Sequence, residues 1–312
     1  MKSLLLLVAA LVCAAQPQSL ATFRSDVQLI NVGFTVRDAG GRLIENLTKD
    51  DFEIFEDGAR QKVAFFARSQ DVPLNLGLVV DLSGSQAAFV KAHQKDLRVF
   101  LERVLTPRDR ALLVCFVSAP RLITEFTASG KQLVAALEGY QGVRDRAVYP
   151  LLGPPEIRVG GSAFYDGVYH TINQMLAPVD GGRKALIVFS DGEDNASAHN
   201  MMETIEVAQS SNVLVFGIRY TEVRNGRVNA RNKYGTSVMA RISKETGGAD
   251  FDSYEKDLSE HFREIGDQLR QAYELGYHST NPQGDGTFHK VTIKPKRPDL
   301  TVRAKTGYYA KP

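Results

Sequence analysis

Three short stretches of this sequence carry oxygen donors at spacings that suit a hard cation. Asp81-Leu82-Ser83-Gly84-Ser85 follows an apolar run, Gly160-Gly161-Ser162 follows a long loop, and Ser190-Asp191-Gly192 follows a second apolar run. Together they offer two carboxylates, Asp81 and Asp191, and three hydroxyls, Ser83, Ser85 and Ser162. No His or Cys stands among them. Such a donor set suits Mg²⁺, with Mn²⁺ or Ca²⁺ as alternatives, and disfavours Zn²⁺ or copper. Two carboxylates balance a divalent charge and neutral hydroxyls add none. An ion held this way keeps the Lewis acidity to take a carboxylate from a partner protein.

The elements that must position these donors are legible as apolar runs. Leu76–Val80, Leu112–Val117, Ala185–Phe189 and Val213–Ile218 read as strands buried on both faces. Helical periodicity appears between them: Phe89, Leu97, Phe100, Leu101 and Val104 share one face, and further helices are expected near 131–140, 164–176, 201–209, 238–246 and 257–273. Alternating strands and helices predict an α/β fold, a doubly wound and mostly parallel sheet. Ligands of such sheets bind beyond the carboxyl ends of the strands, where the strand order reverses. If the strands that end at Asp81 and Ser190 are neighbours there, all five donors converge.

The flanks have another texture. Residues 22–71 and 276–312 alternate apolar and polar residues in short runs broken by turn signals such as Glu56-Asp57-Gly58. The second flank is too short to hold a core alone, below about 40 residues. The economical reading is one discontinuous β-sandwich built from both flanks, with the α/β unit of residues 72–275 inserted. The polar, basic stretch 221–235 reads as a solvated loop.

The three donor stretches resemble the metal-ion-dependent adhesion site of von Willebrand factor type A domains. Asp81-x-Ser83-x-Ser85 looks like the first loop of that site, Ser162 stands where the family usually has Thr, and Asp191 matches the acid of the third loop. The flanking stretches 47–58 and 305–310 are similar to the ends of exported bacterial proteins of this kind. The resemblance implies a von Willebrand factor A or Rossmann-like fold, a metal at Asp81, Ser83, Ser85, Ser162 and Asp191, and a role in protein binding. Asp166 and Glu193 are expected behind the ligands. Asp166 reads equally as acceptor for a ligand hydroxyl or as a first-turn acid favoured by its helix dipole.

Other functions are weighed against this one. With 38 Lys+Arg against 36 Asp+Glu the net charge is +2, which argues against binding nucleic acid by phosphate neutralisation. No Gly-x-Ser-x-Gly elbow, P-loop or His-Glu-x-x-His pair occurs, so no catalysis is expected. A rival of a different class is a structural or assembly factor of the cell envelope with a non-essential metal site. The first 15 residues, MKSLLLLVAALVCAA, have the charge, apolar core and small residues of a secretory signal, with cleavage there or as late as about residue 21. The apolar run falls short of the roughly 20 residues that span a membrane. Export to the periplasm or cell surface is expected, with no transmembrane segment in the mature chain. Cys115 would then be the lone cysteine, buried and inert.

Overall fold

The computed structural model describes residues 29–310 except 71, 146, 155–159, 225–226, 255–257, 282–283 and 285. The expected signal segment lies outside the described residues. The chain begins with β1 (Leu29–Arg37), β2 (Phe52–Glu56), β3 (Ala59–Gln61) and β4 (Val63–Gln70). Burial alternates along β1 and β2, as expected of strands with one face toward a core. The β2–β3 turn needs left-handed backbone at Asp57 (φ 49°) and Gly58 (φ 85°), which the Asp-Gly pair supplies.

A second layer type follows. β5 (Leu74–Asp81), α1 (Val90–Val104), β6 (Arg110–Phe116), β7 (Pro120–Thr127), α2 (Gly130–Gly139) and α3 (Phe164–His170) come first. Then come β8 (Arg183–Ser190), α4 (Met201–Ser210), β9 (Val213–Arg219), a small hairpin of β10 (Val223–Arg224) and β11 (Arg227–Val228), α5 (Ala230–Thr246), β12 (Asp250–Asp252) and α6 (Leu258–Arg270). Six of these strands form one sheet in the order β12-β9-β8-β5-β6-β7, parallel except for β7. Every residue of β5 is buried, which explains its unbroken apolar run. One core lies against each face: Leu97, Phe100 and Phe262 on one, Phe164, Ile172 and Met239 on the other. At Gly77 a Cβ would sit 2.5 Å from Leu186 Cδ1 of the adjacent strand β8 and 3.2 Å from Leu176 Cδ1 and Thr171 Cγ2 of the segment packed on the sheet, so a side chain there would have to push these neighbours aside.

The chain closes with β13 (Gln271–His278), β14 (Phe288–Pro295), β15 (Thr301–Ala304) and β16 (Gly307–Tyr309). β13 pairs antiparallel with β1 and β4 in the sheet β15-β1-β13-β4, and β14 pairs with β2 in the sheet β16-β14-β2-β3. Val32, Phe34, Ile54, Leu275, Tyr277 and Ile293 share one core between these sheets. Phe34 meets Phe52 edge-on at 5.0 Å and stacks on Tyr273 at 5.4 Å, aromatic geometries that add to burial.

Several sequence expectations need correction. The helix expected to reach residue 273 ends at Arg270, and β13 starts at Gln271 rather than after 276. Residues 271–275 therefore belong to the flank sheet, because Tyr273 and Leu275 alternate with Tyr277 on the core face while Ala272 and Tyr273 also continue the helical spacing from Leu269. α5 begins at Ala230, well before the expected 238, and takes in the end of the stretch read as loop. Asn229 caps it by accepting from Asn232 N at 2.8 Å. The strands β7 and β12 went unread. β7 is an antiparallel edge strand with a mixed burial pattern, and β12 has only three residues.

Candidate metal site

The strand order reverses between β5 and β8: β6 follows on one side of β5, and β9 and β12 follow on the far side of β8. The carboxyl ends of these two neighbours are Asp81 and Ser190, so the donor stretches meet at the switch point. Asp81 is fully buried. Its Oδ1 accepts from Ser83 N at 2.9 Å, and its Oδ2 accepts from the Ser190 hydroxyl at 2.6 Å. Beyond Asp81 the chain turns immediately into a short 3₁₀ segment, Gly84–Phe89, that leads into α1. Ser83 is buried, Ser85 is exposed at the rim, and their hydroxyl oxygens lie 3.3 Å apart.

The third loop is fixed from two sides. Asp191, also buried, accepts from Gln86 Nε2 at 2.8 Å and from Glu193 N at 3.0 Å. Gly192 N donates back to Ser190 Oγ at 3.0 Å. Gly192 has φ 77°, and a Cβ on Gly235 of α5 would lie 2.3 Å from Asp191 O. The two glycines thus let α5 pack directly on the backbone that presents Asp191.

Ser162 is tied to the loop that follows Asp191. Its N–H donates to Asn195 Oδ1 at 2.8 Å, and its carbonyl accepts from Asn195 N and Ala196 N. Gly161 has φ 106° and a Cβ there would sit 2.5 Å from Asn195 Oδ1, so only glycine admits this contact. The Ser162 hydroxyl is buried and has no hydrogen-bond partner. A buried hydroxyl left so is costly, and a cation is one partner that would satisfy it.

Electrostatics points the same way. Burial, and then the negative charge of Asp191, push the Asp81 carboxyl up to about 7. No Lys, Arg or His hydrogen-bonds or ion-pairs with either carboxylate among the described residues. Two buried acids, an orphaned hydroxyl and no basic neighbour fit a divalent cation, which would lower the Asp81 pKa by supplying the missing charge.

Of the two readings of Asp166, the first-turn acid is the one the structure has, in α3. Asp166 does not accept from Ser162, whose hydroxyl is unpartnered. Its carboxylate instead takes Ala198 N at 2.9 Å, His199 N at 3.0 Å and His199 Nδ1 at 2.7 Å. Glu193 turns toward α5 and accepts from Asn232 Nδ2 at 3.2 Å. Burial and the Asp191 charge raise its pKa, and nearby Arg231 opposes the shift. The sequence reading did not single out Ser190, Gln86 or Asn195 as positioning groups. Ser190 and Gln86 directly adjoin donors that it named, and that adjacency was the available signal.

No family model and no curated protein matches this sequence. Solved structures do. Proximal thread matrix protein 1 from the mussel byssus, determined with a zinc-occupied MIDAS motif, superposes with TM-score 0.50 at 13% identity, covering 69% of this chain and 50% of that one. An aerotolerance-related membrane protein from Bacteroides fragilis gives TM-score 0.48 at 14% identity, over 63% of this chain and 98% of that one. A mutant of the PilB minor pilin from Streptococcus sanguinis gives 0.45 at 13%, over 64% and 62%. This chain spans half the length of the mussel protein. At such identities the likeness carries the fold alone. The α/β unit has the fold of von Willebrand factor type A domains.

Proposed function

We propose that this chain is an exported, non-enzymatic binding module whose divalent-metal site takes an acidic group of a partner protein. What supports the proposal is the pair of buried carboxylates, Asp81 and Asp191, at the sheet's switch point, with the orphaned hydroxyl of Ser162 on a segment hydrogen-bonded to the loop that follows Asp191. Asp81, Ser83, Ser85, Ser162 and Asp191 would hold the ion. Bound there, Mg²⁺ or a similar ion supplies a Lewis-acidic position for a carboxylate from outside. Ser190 and Gln86 orient the two acids, and the exposed Ser85 marks the solvent side. No helix among the described residues is long and apolar enough to cross a membrane, which is compatible with export.

The test is a thermal melt with and without Mg²⁺ or Mn²⁺. An ion that binds only the folded chain at about 100 times its Kd adds roughly 2.7 kcal/mol. The wild-type melting temperature should rise and that of Asp81→Ala should not. A wild-type melt unmoved by both ions refutes the metal site. Capture of binding partners from the native cell envelope, with EDTA and Asp81→Ala as controls, then tests partner recognition. A capture insensitive to both controls removes the metal from the binding function.

A further inference from the structure

Outside the oxygen site, one group of side chains converges with different chemistry. Asp166 and His170 stand one turn apart on α3 and so project from the same side. His199 reaches them from the β8–α4 loop. One carboxylate oxygen of Asp166 and one ring nitrogen of each histidine all lie within 4.8 Å of one another. Asp166 Oδ1 and His199 Nδ1 are 2.7 Å apart. The two imidazoles meet edge to face, with centroids 4.8 Å apart and planes at 85°.

The hydrogen bonds within this group do not satisfy all of it. His170 is 6% exposed and its Nε2 has no partner. Burial first, and then neighbouring His199, lower the His170 pKa against the pull of Asp166. A buried ring nitrogen without a partner is open to a metal ion.

Each of the three side chains is also held from behind. Gly153 (φ 90°) leaves the space beside His170 Nε2 clear, since a Cβ there would fall 2.3 Å from that nitrogen. Gln174 Nε2 is 3.3 Å from His170 Nδ1. His199 stacks on Tyr169 with centroids 3.7 Å apart and planes at 16°. The Asp166 carboxylate is fixed by the Ala198 and His199 amides. Metal ligands are commonly oriented by outer partners of this kind.

We infer that Asp166, His170 and His199 form a second metal site, one for a transition-metal ion such as Zn²⁺. Two imidazole nitrogens and one carboxylate oxygen suit Zn²⁺ far better than Mg²⁺ or Ca²⁺. Three protein ligands leave a fourth position open for water or an external donor. His199, with 22% of its side chain exposed, provides a way in from solvent. An ion entering between them takes the place of the 2.7 Å contact between His199 Nδ1 and Asp166 Oδ1, with the imidazole proton carried on Nε2. The inference stands independently of the oxygen site, since the two share no ligand.

Co²⁺ titration of the tag-free full chain, read by visible absorption, tests it. A saturable ligand-field band displaced by Zn²⁺ is expected in wild type and equally in Asp81→Ala. In His199→Gln the Co²⁺ affinity should fall at least about tenfold, because loss of an outer partner alone costs that much. His170→Ala should behave likewise. Should its buried cavity prevent folding, His199→Gln, at a half-buried loop position, decides alone. No saturable band in wild type, or an unchanged affinity in folded His199→Gln, overturns the inference. A failure of Mg²⁺ to bind at Asp81 would leave the Co²⁺ result unaffected, so the two proposals fail separately.

Discussion

Ser190 donates its hydroxyl to Asp81 Oδ2 at 2.6 Å, joining the carboxyl ends of the two strands that flank the reversal of strand order. With Ser83 N on the other oxygen, the Asp81 carboxylate is oriented by its own protein before any ion arrives. Each carboxylate oxygen still keeps a lone pair for a cation. Ser190→Ala should therefore leave a buried acceptor short of a donor and cost about 1–3 kcal/mol in denaturant unfolding. Mg²⁺ titration of that variant should show weaker binding, whereas a Ser85→Ala control at the exposed rim should leave stability nearly unchanged.

The raised Asp81 pKa has a definite sign in pH-dependent stability. The folded carboxyl titrates at about 7, against an ordinary value of 3.8, so the folded state holds the proton more tightly than the unfolded one. Its contribution is complete below about 4 and is lost as pH rises through 7. In EDTA, wild-type stability should fall across this window relative to Asp81→Asn, which has no proton to lose. Denaturant midpoints at pH 4 to 8 measure this, and parallel curves for the two proteins would contradict it. Added Mg²⁺ should restore the wild type at the alkaline end.

Asp109 predicts the opposite slope. It is buried 35 residues after Leu74, whose N–H it accepts at 2.8 Å, and it pairs in bidentate fashion with Arg270 at the end of α6. Burial works against its ionisation, but the Arg270 pair, with help from Thr106 and the Leu74 amide, outweighs it and holds the carboxyl at about 2. This stability is present above 3.8 and disappears as pH falls toward 2. Asp109→Ala leaves the Arg270 guanidinium without its partner and should cost about 3–5 kcal/mol. Urea unfolding at pH 7 is the measurement, and the difference from wild type should shrink in acid.

Gly235→Ala probes the packing of α5 on the third loop. The new methyl would lie 2.3 Å from Asp191 O, so either α5 or the Asp191–Gly192 backbone must move. Overpacking of this kind costs about 1–3 kcal/mol. The Mg²⁺-dependent rise in melting temperature should shrink along with it. A variant that loses stability but keeps the full Mg²⁺ effect would show that α5 does not position Asp191.

How much of this was legible in the sequence follows from the range of the forces involved. β5, β6, β8 and β9 announce themselves because burial on both faces demands continuous apolar runs. The positions of Asp81 and Asp191 at the ends of β5 and β8 were legible as well, since strand ends fix where short polar stretches project. Contacts between distant residues were not. Gln86 meets Asp191 across 105 residues of chain, and Ser190 meets Asp81 across 109. The convergence of His170 and His199 was hidden for the same reason. Local pattern also misled at Gln271–Leu275, where leucine and aromatic spacing fits both periods. At Ala230–Tyr234 a polar helix turn resembled a loop because its capping residue, Asn229, lies amid other polar residues.

The pairing of β4 with β13 has a mechanical consequence. Gln70 stands opposite Gln271, so the chain enters and leaves the α/β unit at adjacent positions on one sheet. The metal face lies at the other end of β5 from this junction. A pull on a partner held at Asp81 would therefore reach the flank sheets through two covalent links side by side, both drawn in the same direction. The hydrogen-bonded ladder between the two strands would carry little of that load, and side-chain ties such as Lys305 Nζ to Asn212 Oδ1 at 2.6 Å and Arg303 Nη1 to Gln268 Oε1 at 3.0 Å would share it.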